Sequence, residues 1–105
     1  MAVVSMMRFP GNPDELMTAM DKVGQVSEQF AAKHGGLVNI VARDDDGLLV
    51  INVWETEEGR HAMAHEPEIE SALRDSGLPA PAFTGYEILA LRLSERAAEH
   101  STSSW

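Results

Sequence analysis

An α+β fold with its elements in the order βαββαβ is predicted by three stretches of this sequence. Asn12-Pro13-Asp14-Glu15 reads as a helix start behind a first strand. "GLVNIVAR" and "GLLVINVWE" are apolar runs separated by Asp44-Asp45-Asp46-Gly47. Thr56-Glu57-Glu58 opens a second helical segment directly behind a strand that ends in Trp54-Glu55.

Residues 2–9, "AVVSMMRF", alternate loosely and carry β-branched residues, which suits a strand; Pro10 and Gly11 stop it. Asn12 is a helix cap, Pro13 fits the first helical position, and Glu15 lies three residues past the cap. Leu16, Met20, Val23 and Phe30 follow at helical spacing, widened by Met17, Val26 and Ala31. Lys33 and His34 suit the negative end of the helix dipole, and Gly35-Gly36 ends the helix. Gly24 falls mid-helix, where it marks either close packing against the sheet or a tolerated cost of roughly 1 kcal/mol.

Asp-Gly between two apolar runs signals a hairpin. A calcium loop needs oxygen ligands at alternate positions and a distant bidentate glutamate, whereas here the third Asp runs straight into a strand. Thr56 caps a short helix with Glu57 and Glu58 in its positive first turn. Pro67 restarts the helix, Ile69, Ala72 and Leu73 form its apolar edge, and Gly77 terminates it. "LPAPA" is a stiff connector, and Phe83 to Leu93 is the last strand expected. Residues 1–93 are thus read as one domain and 94–105, "SERAAEHSTSSW", as a polar tail, a frayed helical turn followed by disorder. Two interleaved β-α-β units of this order give the ferredoxin-like plait, a four-stranded antiparallel sheet with helices on one face.

A hairpin with an even-length turn places Val38, Ile40 and Ala42 on the same side as Leu49, Ile51 and Val53, a wholly apolar face. The opposite side carries Leu37, Asn39, Val41 and Arg43 with Leu48, Val50, Asn52 and Trp54. Helices cover one face only, and the other would expose more aliphatic surface than a monomer tolerates. A homodimer packed sheet to sheet is therefore expected.

Seventeen acidic residues against eight basic ones give a formal charge of −9, and Lys and Arg form no cluster. Phosphate backbones and anionic membranes are poor partners for such a surface. No cysteine is present, which removes disulfides, thiolate catalysis and cysteine-ligated metals. The start lacks a basic and apolar leader, and no apolar run approaches the ~20 residues that span a bilayer, so a cytoplasmic protein is expected.

His61 and His65 are one helical turn apart, a spacing that can seat zinc. On a helical wheel, however, they fall opposite the mean direction of Ala62 and Met63, and Ala62 stands where a metallopeptidase helix would carry glutamate. A solvated face is the preferred reading, and no metal is expected.

The strand, Trp-Glu, capped short helix, Pro and second short helix of "VWETEEGRHAMAHEPEI", with "MRFPG" and "GGLVNI", resemble antibiotic-biosynthesis-monooxygenase-like members of the dimeric α/β-barrel superfamily. The likeness spans roughly residues 2–93. It implies a ligand pocket between sheet and helices and, where there is activity, oxygenation or isomerisation of an enolisable aromatic substrate without metal, flavin or other cofactor. By the resemblance, Asn52 and Trp54 match the pocket's Asn and Trp on the third strand, and Arg74 is a counterpart of its Arg. The tyrosine position falls on Arg60. In the haem-degrading branch an Asn, a Trp and a His do the work; Met7, Met63 and Ala72 occupy those places here, so haem degradation is not expected.

The candidate catalytic residues are therefore Asn52, Trp54 and Arg74, and the candidate ligand contacts are Asn39, Met7, Met63, Arg60 and Tyr86. Each has an alternative reading. Asn39 and Asn52 can bond one another across the hairpin or hold an oxygen of a ligand. Trp54 and Tyr86 can be packing residues, Arg74 a surface residue, and the methionines core filler soft enough to line a pocket. A non-catalytic binding or accessory dimer stands beside the enzyme as the second functional reading.

Overall fold

In the computed structural model, which describes residues 1–103 and 105, the elements are β1 (Val3–Pro10), α1 (Pro13–Ser27), β2 (Gly36–Asp44), β3 (Gly47–Trp54), α2 (Glu57–Ala64), α3 (Pro67–Ser76) and β4 (Ala82–Glu87). The strands form one antiparallel sheet in the order β2-β3-β1-β4, the ferredoxin-like α+β arrangement.

The local signals act as their chemistry requires. Asn12 Oδ1 accepts from the backbone N–H groups of Asp14 at 3.0 Å and Glu15 at 3.1 Å, with Pro13 opening α1. Thr56 Oγ1 accepts from Gly59 N at 3.0 Å and caps α2. The hairpin loop is Asp45-Asp46, closed by Asp46 N donating to Asp44 Oδ1 at 2.8 Å, so the acidic triplet is a turn. An even-length loop pairs Asn39 with Asn52, Ile40 with Ile51 and Val41 with Val50.

Three segments depart from the sequence-based expectation. α1 ends at Ser27 rather than at Gly35-Gly36. Beyond it the bonds tighten to three-residue spacing, Gln29 N to Val26 O at 3.1 Å and Phe30 N to Ser27 O at 3.0 Å, and the Ser27 hydroxyl bonds Gly24 O at 3.2 Å. A 3-10 turn, Ala32–His34, then leads to Gly35 in the left-handed region at φ 79°. β4 ends at Glu87 rather than Leu93. Its partner β1 begins at Val3, and Ile88 N bonding Ala2 O at 2.9 Å is the last rung, so residues 89–93 have no strand beside them. In the tail, Ala97–His100 forms a 3-10 turn, and Trp105 packs against the domain instead of trailing away.

The helix-facing side of the sheet holds two apolar clusters. Phe9, Leu16, Leu48 and Val50 form one, joined by Met7, Met20, Val41 and Leu78. Ala31, Trp54, Met63 and Ile69 form the other, joined by Val3, Val26, Phe30 and Trp105. Each large aliphatic or aromatic side chain buried here contributes roughly 1.5–3 kcal/mol. On the other side of the sheet Val53 is buried, Met6, Leu49 and Ile51 are half-buried, and Ile40 is 46% exposed. No described helix is long and apolar enough to cross a membrane.

Candidate functional site

Between the two clusters the sheet and helices leave a cavity of about 170 Å³. β1 contributes Ser5, Met7 and Phe9; β2 contributes Asn39 and Val41; β3 contributes Val50, Asn52 and Trp54. Period-two alternation puts each of these sets on one face. The helices close the other side with Met20, Val23, Gly24 and Ser27 from α1, Arg60, Met63 and Ala64 from α2, and Ile69 and Leu73 from α3.

The walls are mainly apolar, and the polar atoms set into them are therefore informative. Asn52 Oδ1 and Trp54 Nε1 are buried, and neither has a hydrogen-bond partner among the described residues. The two residues are i and i+2 on β3, so they project from the same face roughly 7 Å apart along the strand. One offers an acceptor and the other an N–H donor. Buried polar atoms are usually paired, and an unmade bond of this kind costs about 1–3 kcal/mol. Ser5, the buried polar residue of β1, sits beside them as the cross-strand partner of Asn52.

Arg60 forms part of the cavity's rim. Its guanidinium lies 5.0 Å above the Phe83 ring, and its Nε donates to Glu57 Oε1 at 2.9 Å. That bond, with the charge of Arg60 behind it, holds the Glu57 carboxyl below the usual range. The positive charge at the mouth is thus partly balanced before any ligand arrives. Among the described residues lining the cavity there is no carboxylate and no imidazole.

Of the residues singled out in the sequence, Asn52, Trp54, Asn39, Met7, Met63 and Arg60 meet in this cavity. Arg74 and Tyr86 do not. Arg74 is exposed on α3, with its guanidinium donating to Ser71 Oγ at 3.0 Å. Tyr86 pairs with Val4, so alternation turns it to the sheet's other face, where it is 58% exposed. His61 and His65 are exposed with ring centroids 4.4 Å apart, and His65 Nδ1 lies 3.2 Å from Glu70 Oε1. No group of three His, Asp or Glu side chains among the described residues could hold a metal ion. Ala62, taken as an inward residue of α2, is exposed, whereas Met63 is buried.

Gly24 has nothing within 4 Å of where a Cβ would stand, so it opens space at the cavity wall instead of marking close packing. Ser5 and Trp105 are among the walls that the sequence reasoning did not single out. A small hydroxyl residue in an apolar strand and an aromatic residue ending a polar tail are the signals that could have found them.

No family model matches the sequence, and no curated protein does. Solved structures do match the fold. A candidate antibiotic biosynthesis monooxygenase from Chloroflexus aurantiacus J-10-fl superposes with a TM-score of 0.65 at 16% identity, over 88% of this chain and 97% of that one. SnoaB, a cofactor-independent oxygenase from Streptomyces nogalater, gives 0.64 at 18% identity over 90% and 96%. A dimeric protein of unknown function with a ferredoxin-like fold from Bacteroides fragilis NCTC 9343 gives 0.61 at 15% identity over 83% and 96%. The chain has the fold of the antibiotic-biosynthesis-monooxygenase-like proteins.

Proposed function

We propose that this chain is the protomer of a homodimer whose cavities each bind a small planar organic ligand, and that the reaction is cofactor-independent oxygenation of an enolisable phenol. The observation that carries the reading is the pair of buried, unpartnered atoms Asn52 Oδ1 and Trp54 Nε1, on two residues that line a mainly apolar cavity. A planar molecule with a hydroxyl and a carbonyl oxygen satisfies both, the hydroxyl donating to Asn52 and the carbonyl accepting from Trp54. The likeness in fold to a cofactor-independent oxygenase supports the choice of reaction.

In such a reaction a substrate CH₂ loses a proton to give an enolate. The enolate passes its electrons to dioxygen, a C–O bond forms, the peroxide anion takes up a proton, and the resulting hydroperoxide loses water to leave a ketone. In this reading the Trp54 N–H donates to the enolate oxygen as its charge develops, and a desolvated donor there is worth more than in water. Arg60 adds positive potential at the mouth. With no carboxylate or imidazole among the described residues lining the cavity, the proton leaves to water.

The dimer reading rests on the sheet's outer face. Burying about 400 Å² of apolar area there is worth on the order of 10 kcal/mol before association costs. The absence of a carboxylate or imidazole from the described cavity walls favours one other reading, a dimer that binds its ligand without turning it over. Oxygen consumption with enolisable phenols of one to three rings separates the two. The enzyme reading expects turnover that falls at least ten-fold in Asn52→Ala and is unchanged in His61→Ala. Binding without oxygen uptake selects the non-catalytic reading, and equal rates in wild type, Asn52→Ala and Trp54→Ala overturn the site.

A further inference from the structure

The chain holds two tryptophans, and they touch. Trp105 meets Trp54 edge to face, with ring centroids 5.0 Å apart and planes inclined at 71°. On its other side it presses on β2: a Cβ added to Gly36 would stand 3.0 Å from Cη2 and Cζ3 of the indole. Residues 89–103 are exposed throughout, so the Trp105 ring is a packed aromatic group at the end of an unpacked run of chain. It is also one wall of the cavity.

Those dimensions limit what can enter. At 5.0 Å and 71° the two indoles are in contact, and no ring fits between them. The space left is about 170 Å³, and an apolar cavity of roughly 150 Å³ holds one benzene ring. With Trp105 displaced, the part of Trp54 that it covers would be open to additional fused rings.

We infer that Trp105 is the specificity-determining wall of this cavity: seated on Trp54 it admits a single-ring hydroxyaryl ketone, and only its displacement makes room for fused polycyclic phenols. This rests on the reading of the cavity as a ligand site. It adds a size limit that Asn52 and Trp54 alone do not impose. Because the ring is held by its own apolar contacts rather than by a strand or helix, it can leave without unfolding the sheet.

The test uses the full chain with 4-hydroxyacetophenone and 1,8-dihydroxyanthrone as probes, titrated calorimetrically under argon so that no oxidation occurs. Paired indoles give an exciton couplet in far-ultraviolet circular dichroism. Wild type is expected to show it, and Trp105→Ala and Trp54→Phe to lose it while keeping their helix and sheet signal. 4-Hydroxyacetophenone is expected to bind Trp105→Ala more weakly than wild type, because it loses one wall of its cavity. 1,8-Dihydroxyanthrone should bind Trp105→Ala at least ten-fold more tightly than wild type. Trp105→Phe, which keeps an aromatic wall, should still discriminate against it. Equal affinity of the three-ring probe for wild type and Trp105→Ala overturns the inference, as does a wild type without the couplet. If those results come with tight binding of both probes, the ligand site itself survives. If neither probe binds either protein, the ligand site falls as well.

Discussion

Asn39 and Asn52 stand directly opposite one another on β2 and β3, yet Asn52 Oδ1 accepts no hydrogen bond from Asn39 or from any other described residue. A strand interior does not favour asparagine, and a buried acceptor without a donor destabilises the folded chain. Asn52→Leu should therefore raise the unfolding free energy, by about 1 kcal/mol, while weakening binding of a hydroxyaryl ketone at least ten-fold. Urea denaturation and calorimetry read the two effects. A variant that loses stability would mean that Asn52 holds the sheet together rather than waiting for a ligand.

Two glycines predict opposite outcomes. Gly24 lies inside α1 with open space around its missing side chain, so Gly24→Ala gains helix propensity at no steric cost. It should stabilise by about 0.5–1 kcal/mol, and its methyl group should slightly reduce the cavity. Gly59 lies in α2, where a Cβ would stand 2.1 Å from the His34 carbonyl oxygen. Gly59→Ala must push α2 away from that backbone and should cost about 1–3 kcal/mol. Thermal melts of the two variants should move in opposite directions, and a shared direction would contradict the packing described for either helix.

His34 Nε2 lies 2.9 Å from Glu66 Oε1, tying the turn after α1 to the junction of α2 and α3. That hydrogen bond, with a smaller contribution from Lys33, holds the Glu66 carboxyl below its ordinary value of 4.5 against the opposing effect of burial. A carboxyl whose folded pKa is depressed binds its proton more readily in the unfolded chain. Its contribution is therefore complete above pH 4.5 and is lost as pH falls through the folded pKa. Glu66→Gln should be less stable than wild type near neutrality, and the gap should close on acidification below pH 4.5. A gap that is constant with pH would show that the side chain acts through packing alone.

Ile51 lies at the middle of the sheet's outer face on β3, paired with Ile40 on one side and Met6 on the other. Ile51→Arg should convert the proposed dimer to monomer at micromolar concentration, because a charge buried between two sheets has no partner there. Light scattering measures it. A wild-type particle of 11.5 kDa would remove the dimer from the reading at once.

Most of the candidate site was legible because strand alternation is rigid. Once the Asp45-Asp46 turn sets the register, Asn39, Asn52 and Trp54 must share a face, and Met7 joins them from β1. Helical periodicity likewise turned Met63 inward. The two residues that do not reach the cavity had no turn-fixed register to place them. Arg74 rested on a family counterpart, and Tyr86 on a strand whose facing depends on its register with β1. The shortening of β4 was also invisible locally, since "ILALRL" alternates as a strand should and only the start of β1 denies it a neighbour.

The sequence by itself determined the order of elements, their caps and turns, and the two-faced character of the hairpin, since these depend on groups within a few residues of each other. Only the tertiary structure decided that the Asn52 and Trp54 polar atoms are buried together without partners, and that the last residue of a polar tail returns to close the cavity beside them. Both depend on which distant surfaces exclude water from one another. That is settled by packing across the whole chain, which local pattern can hint at but not decide.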